Sequence, residues 1–276
     1  MRLIFMLSIC GLIALIGCAV SNADQAALAR IALITDTHTN RATAGNEATF
    51  KAHFDTAIVD INKAQVDCVV ATGDLTNNGT DDQFTDFKQQ ATGLTAPIYV
   101  VPGNHDVGAT LTPGQKDGVS DERVARFEAK FGPSFWVVKK AGVRIIGLNS
   151  SLLGSGLQRE KDQWTFLEDQ LSKPSKEPTL VIEHYPPFTK TVDEPGGVYW
   201  NIDTEPRMRL LNLLAKGGVK ALLSGHLHKP LANTWNGISL ITSIPIAWGI
   251  GGGIGWTLIT VNADGTVLAE QKALAQ

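Results

Sequence analysis

Five of the six histidines in this 276-residue chain stand directly after short apolar runs. His38 follows residues 31–34, His105 follows 97–101 and His184 follows 179–182. His226 and His228 follow residues 219–223, on either side of Leu227. Asp36, Asp74 and Asn104 occupy loops of the same kind. Apolar runs of four to six residues read as buried strands, and the segments between them carry helical periodicity. Strands alternating with helices predict a largely parallel α/β sheet, and such sheets place ligand sites at the carboxyl ends of their strands. Histidines scattered through a core would not fall in this way. The pattern therefore constrains both the fold class and the place of the site.

The periodic segments locate the helices. Residues 47–64 carry Phe50, Phe54, Ala57, Ile58 and Ile61 at helical spacing, which leaves His53 off the apolar stripe as a surface or internally satisfied histidine. Helices are also predicted over 81–90, 121–130, 161–171 and 205–216. Strands are predicted over 31–34, 66–71, 97–101, 179–182 and 219–223. Residues 135–139 and 143–148 form a hairpin around Ala141-Gly142. Three or four further β segments end the chain, over 231–235, 238–241, 256–261 and 267–271, with Asn236-Gly237 as a turn between the first two. Residues 107–120 read as a loop over the site, 150–156 as a flexible turn and 189–204 as an irregular loop. The glycine-rich stretch 249–255 lacks the Lys-Ser/Thr and following helix of a phosphate-binding loop, and reads as a mobile loop near the site. No repeat or linker divides the chain, so residues 24–276 form one domain.

Residues 1–23 have the form of a secretory leader, with Arg2 ahead of an apolar run broken only by Ser8, Cys10 and Gly11. Leu15-Ile16-Gly17-Cys18 resembles a bacterial lipobox, which would make Cys18 the lipidated first residue. Ser21-Asn22-Ala23 offers the alternative of ordinary peptidase cleavage. The lipobox is preferred, and it predicts an exported periplasmic or cell-envelope lipoprotein held to the membrane by its anchor. Only Cys68 of the three cysteines lies beyond the leader, so no disulfide framework is expected there, and Cys68 reads as a small buried apolar residue. A net charge of -3 without a basic tract disfavours a stable nucleic-acid complex.

The strand-end loops collect carboxylate, carboxamide and imidazole donors without thiolate. That set suits Mn, Fe or Zn. It holds too many donors for one tetrahedral zinc, and two metals sharing one carboxylate would use them all.

The series Asp36-x-His38, Gly73-Asp74, Gly103-Asn104-His105-Asp106, His184 before Pro186, and Gly225-His226-x-His228 resembles the five-block signature of calcineurin-like metallophosphoesterases. The blocks occur in the family's order and span nearly the whole domain. The resemblance implies a four-layer α/β/β/α sandwich of two mixed sheets flanked by helices. It implies that Asp36, His38 and His228 bind one metal, that Asn104, His184 and His226 bind a second, and that Asp74 bridges both. His105 would donate a proton to the leaving alkoxide, with Asp106 as its orienting partner. The implied reaction is hydrolysis of a phosphate monoester or diester by hydroxide held between two di- or trivalent ions. Asn77 and Asn78 stand where related purple acid phosphatases carry a tyrosine ligand, which disfavours a tyrosinate-bound ferric site.

A second similarity covers the last third. Tyr199-Trp200-Asn201-Ile202, Arg207 and Gly218-Val219-Lys220 resemble a branch of the family that includes phosphoserine and phosphothreonine phosphatases. Gly73-Asp74-Leu75-Thr76 with Gly79 is instead similar to class III cyclic-nucleotide phosphodiesterases. A phosphoprotein, a cyclic nucleotide and a small phosphate ester are thus all candidate substrates, with the monoester slightly favoured. Tyr185, Tyr199 and Trp200 are candidates for stacking on a substrate and Asn149 for support of the ligands. Arg41 and Arg159 are each candidates for a phosphate contact, against the commoner reading of both as solvated surface arginines. A non-catalytic interaction module is the competing class; a degenerate member would lack one of the ligand residues, and none is missing.

Overall fold

The computed structural model describes residues 27–41, 47–110, 117–196, 199–251 and 253–275. The leader and Cys18 lie outside these residues. In chain order the first half contains β1 (Ala27–Ile34), α1 (Glu47–Ala64), β2 (Cys68–Thr72), α2 (Asp81–Ala91), β3 (Ile98–Val101), the single turn α3 (Asn104–Val107) and α4 (Asp121–Phe131). The second half contains β4 (Trp136–Lys140), β5 (Val143–Gly147), a 3-10 turn (Ser150–Leu152), α5 (Gln158–Ser172), β6 (Thr179–Ile182), α6 (Thr204–Lys216) and β7 (Ala221–Ser224). Four strands follow: β8 (Leu231–Trp235), β9 (Ile238–Thr242), β10 (Gly255–Asn262) and β11 (Val267–Ala273).

The strands form two mixed sheets, ordered β11-β10-β1-β2-β3 and β4-β5-β6-β7-β9-β8. In the first, parallel β1, β2 and β3 carry β10 and β11, each paired antiparallel, on one side; in the second, parallel β5, β6, β7 and β9 are flanked by antiparallel β4 and β8. Side chains alternate across each strand, which assigns them to layers. On β1, Ile31 and Leu33 pack toward the second sheet, while Ala32 and Ile34 pack against α1 with Phe54 and Ile58. On β6, Leu180 and Ile182 face the first sheet, and Val181 meets α5 and α6 through Leu167 and Leu211. The result is four layers, α/β/β/α, with apolar cores on both faces of both sheets. Each fully buried Leu, Ile or Phe contributes about 1.5–3 kcal/mol relative to exposure.

α1 begins and ends as its periodicity predicts. β1 starts four residues before the apolar run does, because antiparallel pairing with β10 carries it back to Ala27. The expectation of a flexible turn over 150–156 is corrected at its first residues. Ser150, Ser151 and Leu152 form a buried 3-10 turn, and the Ser150 hydroxyl accepts the His184 and Tyr185 N–H groups at 3.1 and 3.0 Å. Cys68 is buried as expected, and burial pushes its thiol up to about 12.

Candidate metal centre

The first sheet ends at Asp36, His38, Asp74 and Asn104, and the second at His184, His226 and His228. Five of the eight non-glycine residues with positive φ among the described residues belong to this set: Asp36 (52°), His38 (45°), Asp74 (48°), His226 (69°) and His228 (51°). Each such conformation costs about 1–3 kcal/mol and persists only where neighbours impose it. Here the backbones of the loops impose it on one another. Asp36 N–H donates to the Gly73 carbonyl, His38 N–H to that of Asp74, and His226 N–H to the Asp36 carboxylate. Glycine is required where the loops cross. A Cβ on Gly225 would lie 1.8 Å from Thr35 Oγ1, and one on Gly103 would lie 2.2 Å from Asp74 Oδ1.

Two groups of donor atoms result, each with all its ligand atoms within 4.8 Å of one another: Asp36, His38, Asp74 and His228, and Asp74, His184 and His226. All are buried, and Asp74 belongs to both. Asn104 joins the second group, its Oδ1 lying 3.0 Å from His184 Nε2. Three imidazoles are aimed by backbone carbonyls. The Nδ1 of His184 bonds the Thr72 carbonyl, the Nε2 of His226 that of Tyr199, and the Nδ1 of His228 that of Trp248, at 2.7 Å each. The opposite nitrogen of each ring then faces the cluster. This is the arrangement that orients histidines toward a metal.

The charges fit a cation. Asp36 Oδ1 is buried without a hydrogen-bond partner among the described residues and lies 3.4 Å from His228 Nε2 and 3.9 Å from His38 Nε2. Burial holds His38 and His226 down at about 3, so both offer lone pairs at neutral pH. Burial pushes His184 down as well, but the Asp74 carboxylate 3.3 Å away overrides it and lifts His184 to about 9. Burial would raise Asp74, and the imidazoles around it, His184 first, hold it well below the usual carboxylate range. In the metal-free protein a proton on His184 thus balances Asp74. A cation binding there would replace that proton.

His105 belongs to neither group. Its ring meets His38 edge-on at 4.8 Å, and its Nδ1 bonds the Asn77 carbonyl at 2.8 Å. His105, Asn104 and Tyr199 line a cavity of about 580 Å³. The expectation that Asp106 orients His105 is corrected. Asp106 is the third residue of α3, so its carboxylate turns back to accept the Gly103 N–H, and it also accepts from Leu75 N–H and from Thr76 N–H and Oγ1–H. It ties two loops together, while the Asn77 carbonyl holds His105.

The remaining candidates divide. Tyr185 is buried, with its ring 4.4 Å from that of His226. Tyr199 and Trp200 are exposed, with ring centroids 4.7 and 5.9 Å from His226. Asn149 is buried, and neither polar atom of its side chain has a hydrogen-bond partner among the described residues. Arg41 is not brought to the donor groups: its guanidinium pairs with Asp82 and Asp86 of α2. Arg159 pairs with Asp121 and Glu128 of α4. His53 bonds the Ala247 carbonyl at 2.8 Å and is internally satisfied, as expected.

Sequence reasoning missed Trp248, whose ring stacks on His228 at 3.9 Å while its carbonyl aims the same imidazole. The available signal was an aromatic residue next to a glycine-rich run. That run does lie against the site: Ile246 and Ala247 N–H bond the Thr35 and Asp36 carbonyls, and Ile250 N–H bonds that of His228.

Two mixed sheets whose strand ends converge on paired, carboxylate-sharing donor groups define a metallophosphoesterase. The chain belongs to the calcineurin-like phosphoesterase family, whose model matches residues 29–230. It is 35% identical over 192 residues to the probable glycerophosphodiester phosphodiesterase GpdQ of Arcobacter nitrofigilis, covering 67% of this chain and 66% of that one. It is 30% identical over 183 residues to the human serine/threonine-protein phosphatase CPPED1, covering 62% of this chain and 54% of that one. The chain thus spans less than two thirds of the length of these relatives. A dimetal phosphatase from Danio rerio shares the fold with a TM-score of 0.61 at 13% identity, over 88% of this chain and 99% of that one.

Proposed function

We propose that this chain hydrolyses a phosphate ester at a two-metal centre. The observation that carries the reading is the sharing of Asp74 by two buried donor groups. Asp36, His38, Asp74 and His228 hold one cation; Asp74, Asn104, His184 and His226 hold the other. Such ions supply Lewis acidity to the phosphoryl oxygens and to a water molecule. The protein supplies the remainder. Carbonyls of Thr72, Tyr199 and Trp248 fix the imidazoles that face the cluster. The Asn77 carbonyl fixes His105 through Nδ1, which leaves Nε2 to pass a proton to the departing oxygen. Mn, Fe and Zn all suit the donors.

Both ester classes have support. Similarity to CPPED1 supports a phosphoprotein monoester. Similarity to GpdQ supports a diester. The test is a rate panel with Mn, Fe and Zn on nitrophenyl phosphate, bis-nitrophenyl phosphate, cyclic AMP and phosphopeptides. Turnover on at least one ester, abolished by a chelator and strongly reduced in His105→Ala with metal retained, is the expected result. A metal-loaded protein inert toward all of them would overturn the reading. Export and lipidation rest on residues 1–23 alone; loss of fatty-acid labelling in Cys18→Ser is the outcome that proposal requires.

A further inference from the structure

We infer that the end of the molecule opposite the metal centre is a docking face for an anionic lipid bilayer. The parallel strands of both sheets run from this base to the donor loops. Their amino ends, the carboxyl ends of α5 and α6, and the β4–β5 and β10–β11 turns therefore gather at the base. Residues 139–142, 173–179, 216–220 and 262–267 hold six lysines there, Lys139, Lys140, Lys173, Lys176, Lys216 and Lys220, against two carboxylates, Glu177 and Asp264. The whole chain has a net charge of -3, so positive charge is concentrated at one end of an acidic protein. Lys173, Lys176, Lys216 and Lys220 line a single cavity of about 540 Å³.

The first described residue enters the fold at this face. Ala27 pairs with Asn262, where the β10–β11 turn begins, and a Cβ on Gly265 of that turn would lie 3.1 Å from Lys220 Cε. On the other side a Cβ on Gly142 would lie 3.0 Å from Leu28 Cδ1, which sets the β4–β5 turn, with Lys139 and Lys140, against the same strand end. Leu28 on β1 and Leu268 on β11 add exposed apolar side chains at this end. Cys18 stands nine residues before Ala27, and nine residues span at most about 30 Å. With Cys18 lipidated, the base is the face held nearest the bilayer; this placement rests on the lipid anchor proposed above. Lys139 and Lys173 pair with Glu177 and Asp169, and Asp264 offsets part of Lys220. Six cations still face only these three carboxylates, and anionic headgroups supply the missing counter-charge. Each lysine near such a surface tightens attachment by about fivefold, within a Debye length of about 8–10 Å. Docked in this way, the metal centre points away from the bilayer, toward esters dissolved in water.

The test is lysine footprinting with acetic anhydride on the full chain, expressed with its leader, purified as the cell leaves it and reconstituted in vesicles. Vesicles of phosphatidylcholine alone are compared with vesicles that also hold about 30% phosphatidylglycerol. In the anionic vesicles the exposed Lys176, Lys216 and Lys220 should be acetylated at least about threefold more slowly. Lys190 and Lys229, exposed beside the donor loops, should react at the same rate in both. Salt at about 0.5 M should remove the difference. In the triple variant Lys176→Glu, Lys216→Glu, Lys220→Glu the protection of Lys140 should be lost, with circular dichroism as the check on folding; Lys176→Glu alone should reduce it. Equal acetylation in the two vesicles, equal slowing of Lys190 and Lys229, protection that survives the triple variant, or the same protection by inorganic phosphate without vesicles would overturn the docking face. Absence of fatty-acid labelling in the parent chain would overturn the anchor instead. Co-sedimentation of that unanchored chain would then decide the docking: pelleting with the anionic vesicles alone would uphold it, and equal pelleting with both, or with neither, would overturn it.

Discussion

Glu183 sits beside the donor residue His184 with a fully buried carboxyl and no hydrogen-bond partner for either oxygen among the described residues. Burial pushes its pKa well above the ordinary value, with His184 opposing. The unfolded chain loses this proton near pH 4.5 and the folded chain keeps it. Stability is therefore full below that pH and falls by about 1.4 kcal/mol per pH unit as pH rises toward the folded value. Glu183→Gln removes the titration, so in the metal-free protein the variant should gain stability over the parent between pH 4 and pH 7, measured by denaturant melts. A pH-independent difference would refute the assignment. Gly225 gives an opposite case. Gly225→Ala drives a methyl into Thr35 Oγ1, whose hydroxyl bonds Asp36 Oδ2 at 2.7 Å, and this should cost several kcal/mol. The expected readout is a Tm fall of 5 °C or more together with weakened metal binding; a Tm within 1 °C of the parent would show that the loops can part.

The irregular loop between β6 and α6 delivers the Tyr199 carbonyl to His226, and it is ordered by two residues. Buried Arg207 donates to the carbonyls of Val192, Glu194 and Ile202. Burial nudges Glu194 upward, but bonds from the N–H groups of Thr189, Lys190 and Thr191 and from the Asn201 amide prevail and bring it to about 2. A depressed carboxylate stabilises above its unfolded pKa and loses that contribution as pH falls through the folded value. The Thr189–Thr191 amides should thus lose hydrogen-exchange protection between pH 4.5 and pH 2, and in Glu194→Gln they should already be less protected at neutral pH. Protection unchanged in that variant would remove Glu194 from its role. The strand ends and the helices were legible in the sequence because apolar runs and helical periodicity are local. Seven donor residues were legible because each stands in a loop directly after such a run. Trp248 and the true partners of Asp106 were not. Their roles depend on which loops meet across the sheets, and nothing in local spacing reports that.

At the scale of the molecule, the donors are divided between the sheets. Asp36, His38, Asp74 and Asn104 come from the first, and His184, His226 and His228 from the second. Metal binding is therefore linked to the docking of the two sheets. Adding Mn or Zn at about a hundred times its dissociation constant should stabilise the fold by about 2.7 kcal/mol per site and raise Tm by about 5–10 °C. Asp74→Asn should lose most of that gain for both ions at once, by elemental analysis and by melting. Retention of two tight equivalents would sink the shared role.

The strained loops of Asp36 and His228 are separated by most of the chain, yet their side chains meet at 3.4 Å. An ion gripping both would close a ring of nearly two hundred residues, as a cross-link does. On the chain-entropy estimate, a permanent tie over that span restricts the unfolded ensemble by about 5 kcal/mol. Cys68 is the sole cysteine among the described residues, so no covalent bridge does this job there. The ions would then serve as removable staples, and a chelator would act on this protein as a reductant acts on one held by disulfides.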